Sequence, residues 1–458
     1  MSDAERLAPP SVECAARACS RLGVAFGPRF YLLLAIGLIW IVPAFVDLRL
    51  AYAMLAWDGL VVLAWLVDLL KLAKPEQISI TRTWHGPAAL SVASDVELLL
   101  ANASDGPVCA TLVDTLPAGL CTAPPRVDIR AAARSRGAAV YTIRPRERGD
   151  ASVGAVWLRY RGHIGIAERW AQAPLAQTVR VYPNLDEARR QAIYLVRSRQ
   201  TALERRLTRT RGVGREFESL REYREGDEFR DICWTATARR GKLVTRTYQV
   251  ERSQTIWIVI DSGRLMRARI GELSKLDYAA TAALSLAEVA LHTGDRVGLL
   301  GYGRAIRQRI PAARGSAHLR LIVEQLATLC EEVPEADHLL AASRLLTDQK
   351  RRCLVVWLTD IPETSLTPDV VEAAQLMPRH LVLLVAIGQP DLRAMASREP
   401  HDVTDMYQAA AAQEMAHRRE RLLASLRDRG VLTLEAESAS LSPALVNAYL
   451  EIKERSRI

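Results

Sequence analysis

The sequence lacks the short motifs from which common catalytic and nucleotide sites are built. Its eight histidines form no H-E-x-x-H pair, and GSAH at 315–318 lacks the glycine pattern of a nucleophile elbow. The glycines of GLLGYG at 298–303 follow one apparent strand and precede another, RAIRQRI, whereas a phosphate-binding loop opens a helix. We therefore expect a tight hairpin at 298–303, no nucleotide site, and a protein that is not an enzyme.

Disulfide bonds and nucleic-acid binding are also disfavoured. The seven cysteines are odd in number and include no C-x-x-C pair, which is typical of reduced thiols in the cytoplasm. Residues 215–252 carry nine basic and eight acidic side chains, so they provide no excess positive charge for phosphates. The basic run ERRLTRTRG at 204–212 has no interleaved aromatic residues on which bases could stack. We expect no nucleic-acid partner.

Two long apolar runs lie near the start of the chain. Residues 30–46 include no charged side chain, and residues 50–67 include one. At about 1.5 Å per helical residue, each run approaches the ~30 Å hydrocarbon thickness of a bilayer. Only residues 47–49 separate the runs, and no cleavage site follows them. They predict an antiparallel transmembrane hairpin at about 30–46 and 50–70, not a cleaved signal peptide.

The charges around this hairpin predict its orientation. Basic residues precede the first run and follow the second, namely Arg17, Arg21, Arg29, Lys71, Lys74 and Arg82. The positive-inside bias then places both termini and the bulk of the chain in the cytoplasm, as a multi-pass protein of a bacterial inner membrane. Asp58 lies in the middle of the second run, where an ionised carboxylate is costly. It has either a proton or ion role or a structural role as a neutral, hydrogen-bonded group.

The pattern changes after the hairpin to short alternating apolar runs, over residues 77–183. Their spacing of about ten residues predicts an immunoglobulin-like β-sandwich of about seven strands. Residues 126–211 overlap its end and carry nineteen arginines against seven acids. Near a bilayer this surface would contact anionic lipid headgroups, at about 1 kcal/mol per adjacent charge. The alternative is compositional, because 55 of the 61 basic residues in the chain are arginine.

From residue 253 onward, apolar strands alternate with helices. The strand candidates are TIWIVID, RVGLLGY, CLVVWLTD and HLVLLVAIG, and helices are expected at about 276–293, 316–331, 367–376 and 402–429. Alternation of this kind produces right-handed crossovers and a parallel sheet that is covered on both faces. The sequence therefore predicts an α/β domain with a doubly wound parallel sheet.

Two aspartates end strands of this sheet, Asp261 in IVIDSG and Asp360 in WLTD. The functional crevice of such sheets lies beyond the carboxyl ends of the strands. The element order and these acids resemble a von Willebrand factor type A domain, whose metal site is built on a D-x-S-x-S turn. Here the turn is DSGRL, so both serine positions are lost and Arg264 places a positive charge near the expected ion.

The resemblance implies a degenerate metal site at Asp261, Ser262 and Asp360. We expect no cofactor there, or at most weak Mg²⁺ binding through these oxygens. The alternative is that Asp261 caps the following loop or pairs with Arg264.

The charged segment LREYREGDEFRDICW at 220–234 precedes the α/β domain. Together with T-A-R and Y-Q-V-E-R downstream, its pattern G-D-x-x-R-x-I-x-W resembles the domain of unknown function 58 family. The D-S-G-R-L-M turn and R-P-R-E-R-G at 144–149 also resemble that family. The matching residues of the charged segment are Arg221, Glu222, Tyr223, Gly226, Asp227, Arg230, Ile232, Trp234, Thr237, Ala238 and Arg239.

Two interpretations of this segment follow from its residues. Gly226 allows a turn, Arg230 lies within reach of Asp227, and Trp234 then buries its ring, which together predict a structural latch between sandwich and α/β domain. The alternative is a docking surface for another protein, with exposed arginine and tryptophan as anchors.

These patterns divide the chain into four segments. They are 1–76, a tail and the transmembrane hairpin; 77–183, the β-sandwich; 184–252, an Arg-rich helix and the family motif; and 253–458, the α/β domain. We expect a membrane-anchored, non-catalytic interaction or adaptor protein. The family resemblance implies a MoxR-type AAA+ ATPase as its partner, in assembly or maturation of protein complexes. The alternative is a metal-dependent ligand binder that uses Asp261 and Asp360.

Overall fold

The computed structural model describes residues 7–19, 23–41, 49–184, 216–224, 229, 232–249, 254–361 and 369–455. The chain divides into two compact units, Met1–Asn184 and Leu185–Ile458. Each unit has a hydrophobic core of its own. The basic run at 204–212 and the motif residues Gly226, Asp227 and Arg230 lie outside the described residues.

The first unit is built from β-strands whose alternate residues face one core. In the strand Ile78–Trp84, for example, every second residue is buried, as a half-buried sheet requires. The strands are β1 (Val12–Ala15), β2 (Arg17–Ala18), β3 (Val24–Phe26), β4 (Ile78–Trp84), β5 (Ala88–Ala89), β6 (Ser94–Asn102), β7 (Val108–Asp114), β8 (Arg126–Ala131), β9 (Arg136–Ile143), β10 (Gly149–Val153), β11 (Val156–Arg161), β12 (Ala167–Ala173) and β13 (Gln177–Tyr182).

These strands form three sheets around the core. Their orders are β1-β4-β6-β9, β10-β13-β5 and β2-β12-β11-β7-β8, with β3 also paired to β12. Within the described residues of this unit, the strand pairs are antiparallel except for the short pairing of β5 with β13. Residues 12–26, expected to form a tail, instead supply β1 to β3. The predicted seven strands between 77 and 183 are in fact ten, β4 to β13.

A buried ion pair crosses this core. Arg82 donates to Asp114 at 2.5 Å, and the Tyr141 hydroxyl donates to the same carboxylate at 2.6 Å. Burial and the Asp114 charge together raise the pKa of Tyr141. Because Arg82 is fully buried in the sandwich, its charge is compensated inside the core and does not face the solvent beside the apolar runs.

One helix in the described part of the chain is long and apolar enough to cross a membrane. It is α2 (Arg49–Lys71), with a candidate span at Ala51–Lys71. The first apolar run forms the shorter α1 (Pro28–Gly37) and a 3-10 turn at Leu38–Trp40, about 20 Å in total. Residues 42–48 lie outside the described residues. The structure therefore supports one membrane span where the sequence predicted two.

The bases of α1 and α2 are tied to the same part of the sandwich. Asp68 near the end of α2 accepts the backbone N–H groups of Ile166 and Ala167 at 3.0 and 2.9 Å. Just before α1, the N–H of Gly27 donates to the carbonyl of Ile166 at 2.7 Å. The chain thus leaves the sandwich and returns to it at one edge.

The second unit begins with a hairpin and continues as an α/β domain. Its elements are β14 (Glu216–Glu222), α3 (Trp234–Arg240), β15 (Val244–Gln249), β16 (Thr255–Asp261), β17 (Arg269–Ile270), β18 (Leu273–Ser274), α4 (Lys275–His292), β19 (Arg296–Tyr302), β20 (Ile306–Ala313), α5 (Ser316–Thr328), α6 (His338–Asp348), β21 (Leu354–Thr359), α7 (Asp369–Gln375), β22 (Leu381–Ile387), α8 (Pro390–Ser397), α9 (Val403–Asp428), β23 (Leu432–Ala436) and α10 (Leu441–Glu454).

Its six-stranded sheet has the order β20-β19-β16-β21-β22-β23. Ranked by position in the chain this order is 3-2-1-4-5-6, which is that of a doubly wound fold. The edge strand β20 is antiparallel to β19, because residues 303–305 are too few for a crossover. A hairpin is present, but residues 298–302 of GLLGYG belong to β19 and the turn lies at 303–305. The sheet is mostly parallel instead of wholly parallel.

The helix α9 extends beyond the carboxyl edge of this sheet. Arg419 on α9 contacts Asp360, which follows β21. Residues 403–418 of α9 therefore lie beyond the carboxyl edge of the sheet. At 1.5 Å per residue, this part of the helix is about 24 Å long. The helix α8 packs along this projecting part, and the buried Ala412 lies there.

Candidate functional site

The carboxyl ends of β16 and β21 meet where the strand order reverses, which is where doubly wound sheets open a crevice. Asp261 is the last residue of β16 and Asp360 directly follows β21. The pairing of Ile260 with Leu358 brings both to the same level. Asp261, Ser262 and Asp360 are all buried there.

Asp261 is held by two uncharged donors. Its Oδ1 accepts the N–H of Gly263 at 2.7 Å, and its Oδ2 accepts the hydroxyl of Thr359 at 2.7 Å. Burial raises the pKa of the Asp261 carboxyl, although the charge of His338 and these hydrogen bonds oppose the rise. Asp261 thus caps the loop that follows it. Arg264 pairs with Glu335 at 2.7 Å on the surface, not with Asp261.

Asp360 is held by two buried cations. Its Oδ2 accepts from the Lys275 ammonium at 2.5 Å, and its Oδ1 accepts from the Arg419 guanidinium at 2.8 Å and from the N–H of Ile361 at 2.9 Å. Lys275 and Asp360 are only 3% and 2% exposed. Burial alone would raise the pKa of Asp360, but the charges of Arg419 and Lys275 lower it below its usual value.

Arg419 extends this ion cluster to the next strand. Its Nε donates to Glu435 on β23 at 3.0 Å, and another of its nitrogens donates to the carbonyl of Ile387 at 2.9 Å. The cluster of Lys275, Asp360, Arg419 and Glu435 therefore connects α4, β21, α9 and β23. Lys275 and Arg419 provide the positive charge beside Asp360. The sequence analysis had expected Arg264 to place a positive charge near this site.

Sequence reasoning missed both cations. Lys275 is the first residue of α4, after the N-cap Ser274, and the dipole at a helix start disfavours a positive charge. A lysine at the first position of a helix therefore indicated that an acidic group lies close to its ammonium group. Arg419 carries no such signal, because it belongs to the run HRRER in which its neighbours are exposed.

The first serine of the D-x-S-x-S pattern corresponds to Gly263 in this chain. The loop over this edge of the sheet leaves no room for a serine side chain there. A Cβ on Gly263 would lie 2.7 Å from the backbone nitrogen of Ala336 and 2.9 Å from its Cβ. Ser262 is also committed, since its hydroxyl donates to the carbonyl of Tyr302 at 2.9 Å. The turn is therefore packed against the loop that precedes α6.

These residues do not fit a divalent cation. The oxygens of Asp261 and Asp360 are already engaged by Gly263, Thr359, Lys275 and Arg419. A magnesium ion would need several further oxygen ligands in octahedral geometry, next to a buried ammonium group. In the described parts of the chain, no three His, Cys, Asp or Glu side chains are grouped to hold a metal.

A chain of buried aromatic groups lies beside Asp261. The Tyr302 hydroxyl accepts from Trp357 Nε1 at 2.6 Å and lies 2.8 Å from His338 Nδ1. Burial and the nearby Asp261 charge raise the pKa of Tyr302, and burial lowers the pKa of His338. The tautomer of His338 decides which of the two groups donates in the hydrogen bond between the Tyr302 hydroxyl and His338 Nδ1. This arrangement fixes the packing below the sheet edge.

The family motif forms the hairpin of β14 and β15, with α3 between them. Arg221 and Glu222 end β14, and the N–H of Tyr223 donates to the carbonyl of Leu243 at 2.9 Å. Ile232 is buried, and the Thr237 hydroxyl accepts the N–H of Val244 at 3.1 Å. The hairpin is thus organised around Ile232 and the start of α3.

Two aromatic residues of this segment, Phe229 and Trp234, are exposed, contrary to the prediction that Trp234 buries its ring. Trp234 is 66% exposed and Phe229 is 75% exposed, with Arg239 also on the surface. The ion pair between Glu222 and Lys242, at 3.2 Å, is exposed on both sides. Gly226, Asp227 and Arg230, and with them the predicted contact of Arg230 with Asp227, lie outside the described residues.

A cleft of about 520 Å³ opens at the carboxyl edge, next to Asp360. On one side it is lined by the 3-10 turn Arg264–Arg267 and by Arg269, and Gln389 lies on the other. Lys275 and Glu331 complete its polar lining.

Sequence comparison identifies relatives for this unit. Residues 219–422 match the family described as "Protein of unknown function DUF58". Uncharacterized proteins of Mycobacterium tuberculosis and Mycobacterium bovis are 27% identical over 183 residues, 39% of this chain. The match covers 56% of their length, so the chain spans about half of the curated relatives it matches. The family resemblance predicted from the motif is confirmed.

Solved structures similar to this chain include one that is described as a VWA domain. The conserved hypothetical protein BatB from Bacteroides thetaiotaomicron is 13% identical with a TM-score of 0.30, covering 44% of this chain and all of that one. The SpRpn10 VWA domain is 11% identical with a TM-score of 0.27, covering 43% and 95%. An uncharacterized membrane spanning protein from Vibrio fischeri is 16% identical with a TM-score of 0.18, covering 44% and 98%.

Proposed function

Because residues 219–422 place this chain in the DUF58 family, we propose that it is a membrane-anchored adaptor without catalytic activity of its own. It works with a MoxR-type AAA+ ATPase at the cytoplasmic face of a bacterial inner membrane. Its role is in the assembly or maturation of protein complexes. The partner is the one that the family resemblance implies.

The exposed face of the motif hairpin is the observation that supports this proposal. Trp234, Phe229 and Arg239 lie on the surface of one small hairpin. Tryptophan and arginine are the residues most enriched among the anchors of protein interfaces. A large aromatic side chain left in water gains nothing for folding, since its apolar area stabilises only when it is buried. A partner protein that covers Trp234 would bury that area.

The buried acids of the sheet edge favour an adaptor over an enzyme. Asp261 and Asp360 are the best placed carboxylates for acid-base chemistry, yet both are buried and saturated with internal donors. A general base has to lie within hydrogen-bond reach of its substrate proton.

The proposed adaptor is anchored in the membrane by its apolar helices. The hydropathy and length of α2 fit one span, and we propose that the first apolar run adds the second. Asp68 and Gly27 tie both helices to one edge of the sandwich, so the two termini of the hairpin share one side of the bilayer. Arg29 at the start of α1 and Arg161 of the sandwich both lie near Gly165 at that edge, and they would contact anionic headgroups.

The test is affinity purification of the tagged full chain from membranes in mild detergent, with nucleotide present. We expect an AAA+ ATPase to be recovered with the native protein. The variants Trp234→Ala and Arg239→Ala should reduce recovery at least tenfold. The matched control is Trp170→Ala, because Trp170 is also an exposed tryptophan, 47% accessible, but lies on β12 of the sandwich.

Equal recovery with Trp234→Ala and with Trp170→Ala would contradict the assigned docking surface. No ATPase with any variant or with the native chain would contradict the adaptor function. Topology is tested separately by a membrane-impermeant maleimide applied to intact cells. Cys330 is exposed, so it should react only after lysis, whereas the buried Cys233 and Cys353 would be silent in either orientation.

A further inference from the structure

We propose that the outer face of the sheet β2-β12-β11-β7-β8 binds an acidic, extended segment of a partner protein, with Trp157 at the centre of the site and Arg17 and Arg126 on either side of it. This inference rests on the proposed adaptor function and specifies the chemistry of the client that the adaptor holds. The face belongs to the first unit, whereas the motif hairpin assigned to the ATPase belongs to the second.

The strand register places these side chains in one row across the sheet. From one edge to the other the row is Arg17, Gln172, Trp157, Val113 and Arg126, each directly opposite the next. Residues that are opposite each other in an antiparallel pair project from the same face. The strand β11, which carries Trp157, is the middle strand of the five, so its ring lies between the two arginines.

The two arginines and the tryptophan are available to a ligand. Trp157 is 46% exposed, and Arg17 and Arg126 are also exposed. In the described part of the chain, no hydrogen bond, ion pair or ring contact engages any of these three side chains. Trp170 lies on the same face, opposite Arg159 in the next row. Tryptophan and arginine are the residues most enriched among interface anchors.

The charge of this face is complementary to carboxylates. Besides Arg17 and Arg126, the charged residues at its register positions are Arg130, Arg159, Arg161, Asp128 and Glu168. Arg159 and Arg161 lie 3.7 and 4.0 Å from Glu168, so they share one acid within the face. Five arginines against two acids leave an excess of positive charge, and the arginines on β2 and β8 have no acidic partner in the described residues.

The spacing of the row defines the pattern of the ligand. Neighbouring strands lie about 4.8 Å apart, so each arginine is two strands, or about 10 Å, from Trp157. An extended peptide advances about 3.3 Å per residue, so the same distance is about three residues. The segment that fits has an apolar side chain for Trp157 and an acid three positions before and after it. Each guanidinium can pair with a carboxylate through two parallel hydrogen bonds.

An acidic side chain on the same face favours a peptide over a nucleic acid. Asp128 is exposed and lies between Arg126 and Arg130 on β8. A continuous phosphate backbone that followed these arginines would meet the charge of Asp128. A peptide presents separate carboxylates, which can contact the arginines alone.

The experiment uses the full chain in nanodiscs of zwitterionic lipid. The probe is the fluorescein-labelled peptide Glu-Ser-Ser-Leu-Ser-Ser-Glu, and fluorescence anisotropy gives its dissociation constant. Two comparison peptides replace both glutamates by glutamine, or keep the composition and place the glutamates next to each other. The face variants are R17A/R126A and W157A. The control R136A/R144A removes two exposed arginines at the two ends of β9, in another sheet of the sandwich.

We expect R17A/R126A and W157A each to weaken binding of the probe about tenfold, because a few anchor residues carry most of the affinity of an interface. The control should change binding less than about twofold, and both comparison peptides should bind about tenfold more weakly than the probe. Equal binding of the three peptides, equal losses in the face and control variants, or no binding of the probe would overturn the proposal.

Two further measurements identify other ligands of this face. Binding of a labelled oligouridine instead of the probe would assign the face to single-stranded nucleic acid. Stronger quenching of the native protein than of W157A by brominated phosphatidylglycerol in the nanodisc would assign it to the bilayer, and either result would overturn the proposal. If the probe fails to bind while the ATPase still copurifies through Trp234, only this inference fails. If the probe binds and the ATPase is absent, only the proposed partnership with the ATPase fails.

Discussion

Replacing Asp360 by asparagine removes the anion that compensates two buried cations, while the side chain keeps its shape. Lys275 lies 2.5 Å from one carboxylate oxygen and Arg419 lies 2.8 Å from the other. At an effective dielectric constant of about 20, the attraction of Lys275 alone is about 7 kcal/mol. Desolvation of both ions, at several kcal/mol each, offsets most of this attraction in the native protein.

The substitution keeps the desolvation cost of Lys275 and removes its partner. Glu435 still pairs with Arg419, but no other acid contacts the Lys275 ammonium among the described residues. Breaking a buried pair from one side costs about 3–5 kcal/mol. In contrast, Asp261→Asn should cost less than about 1 kcal/mol, because Asp261 accepts only from neutral donors and asparagine can still accept from Gly263.

Hydrogen exchange of the amides of β16 and β21 measures this difference in the full chain, in detergent micelles. It reports on opening of the α/β unit without contribution from the sandwich. Since each 1.4 kcal/mol is a factor of ten, Asp360→Asn should accelerate exchange by about 10²- to 4 × 10³-fold. Asp261→Asn should change it by less than about tenfold.

The double variant Lys275→Met with Asp360→Asn separates charge compensation from simple loss of packing. Removing the stranded cation as well should recover about 2 kcal/mol relative to the sum of the single effects. Similar exchange rates for Asp360→Asn and Asp261→Asn, or strict additivity in the double variant, would refute the reasoning.

Three further predictions follow from the same edge of the sheet. The pKa of Asp360 is lowered in the folded protein. The stability that its ionised carboxylate contributes is therefore present above about pH 4 and is lost as the pH falls through the folded-state pKa. The melting temperature of Asp360→Asn should therefore depend less on pH in the acid range than that of the native protein. Gly263→Ser restores a serine of the metal motif, but we expect about 1–3 kcal/mol of destabilisation from overpacking and no added stability with Mg²⁺ in the same melts. Tyr302→Phe leaves Trp357 Nε1 without its acceptor and should destabilise by about 2 kcal/mol in urea unfolding.

Two matched variants serve as controls for these predictions. Gly106→Ser places a side chain where no atom lies within 4 Å, so it should leave the melting temperature unchanged. Tyr278→Phe removes a hydroxyl that donates to the carbonyl of Ile270 at 3.2 Å in a half-buried position, and it should cost much less than Tyr302→Phe. Stabilisation of Gly263→Ser by Mg²⁺ would contradict the conclusion that the site does not fit a metal.

Regular apolar patterns allowed much of the α/β unit to be predicted. The helices α4 and α9 were expected at 276–293 and 402–429 and are observed at Lys275–His292 and Val403–Asp428. The helices α6, α8 and α10 and the edge strand β23 were missed, although α6 and α8 are more strongly amphipathic than α9, which was predicted. In the first unit, residues 12–26 carry no strong strand pattern and pair only because existing sheet edges accept them.

The candidate site was predicted only in part. Asp261 and Asp360 could be paired in advance, because parallel strands end at one edge of a sheet. Their partners could not be, since Lys275 lies 85 positions from Asp360 and Arg419 lies 59 positions away. The burial of Trp234 was predicted wrongly, because a pattern of residue types does not show whether a hairpin has a surface to pack against.

The sequence by itself determined the two apolar runs near its start, the alternation of strands and helices, the absence of both serines of the D-x-S-x-S pattern and the family motif. These are local properties, which hydrophobic periodicity and residue type decide over a few turns or strands. Only the tertiary structure decided that Lys275 and Arg419 neutralise Asp360 and that the loop at Ala336 closes the space over Gly263. Contacts between residues far apart in the chain depend on how the helices cross the sheet, and no local pattern specifies those distances.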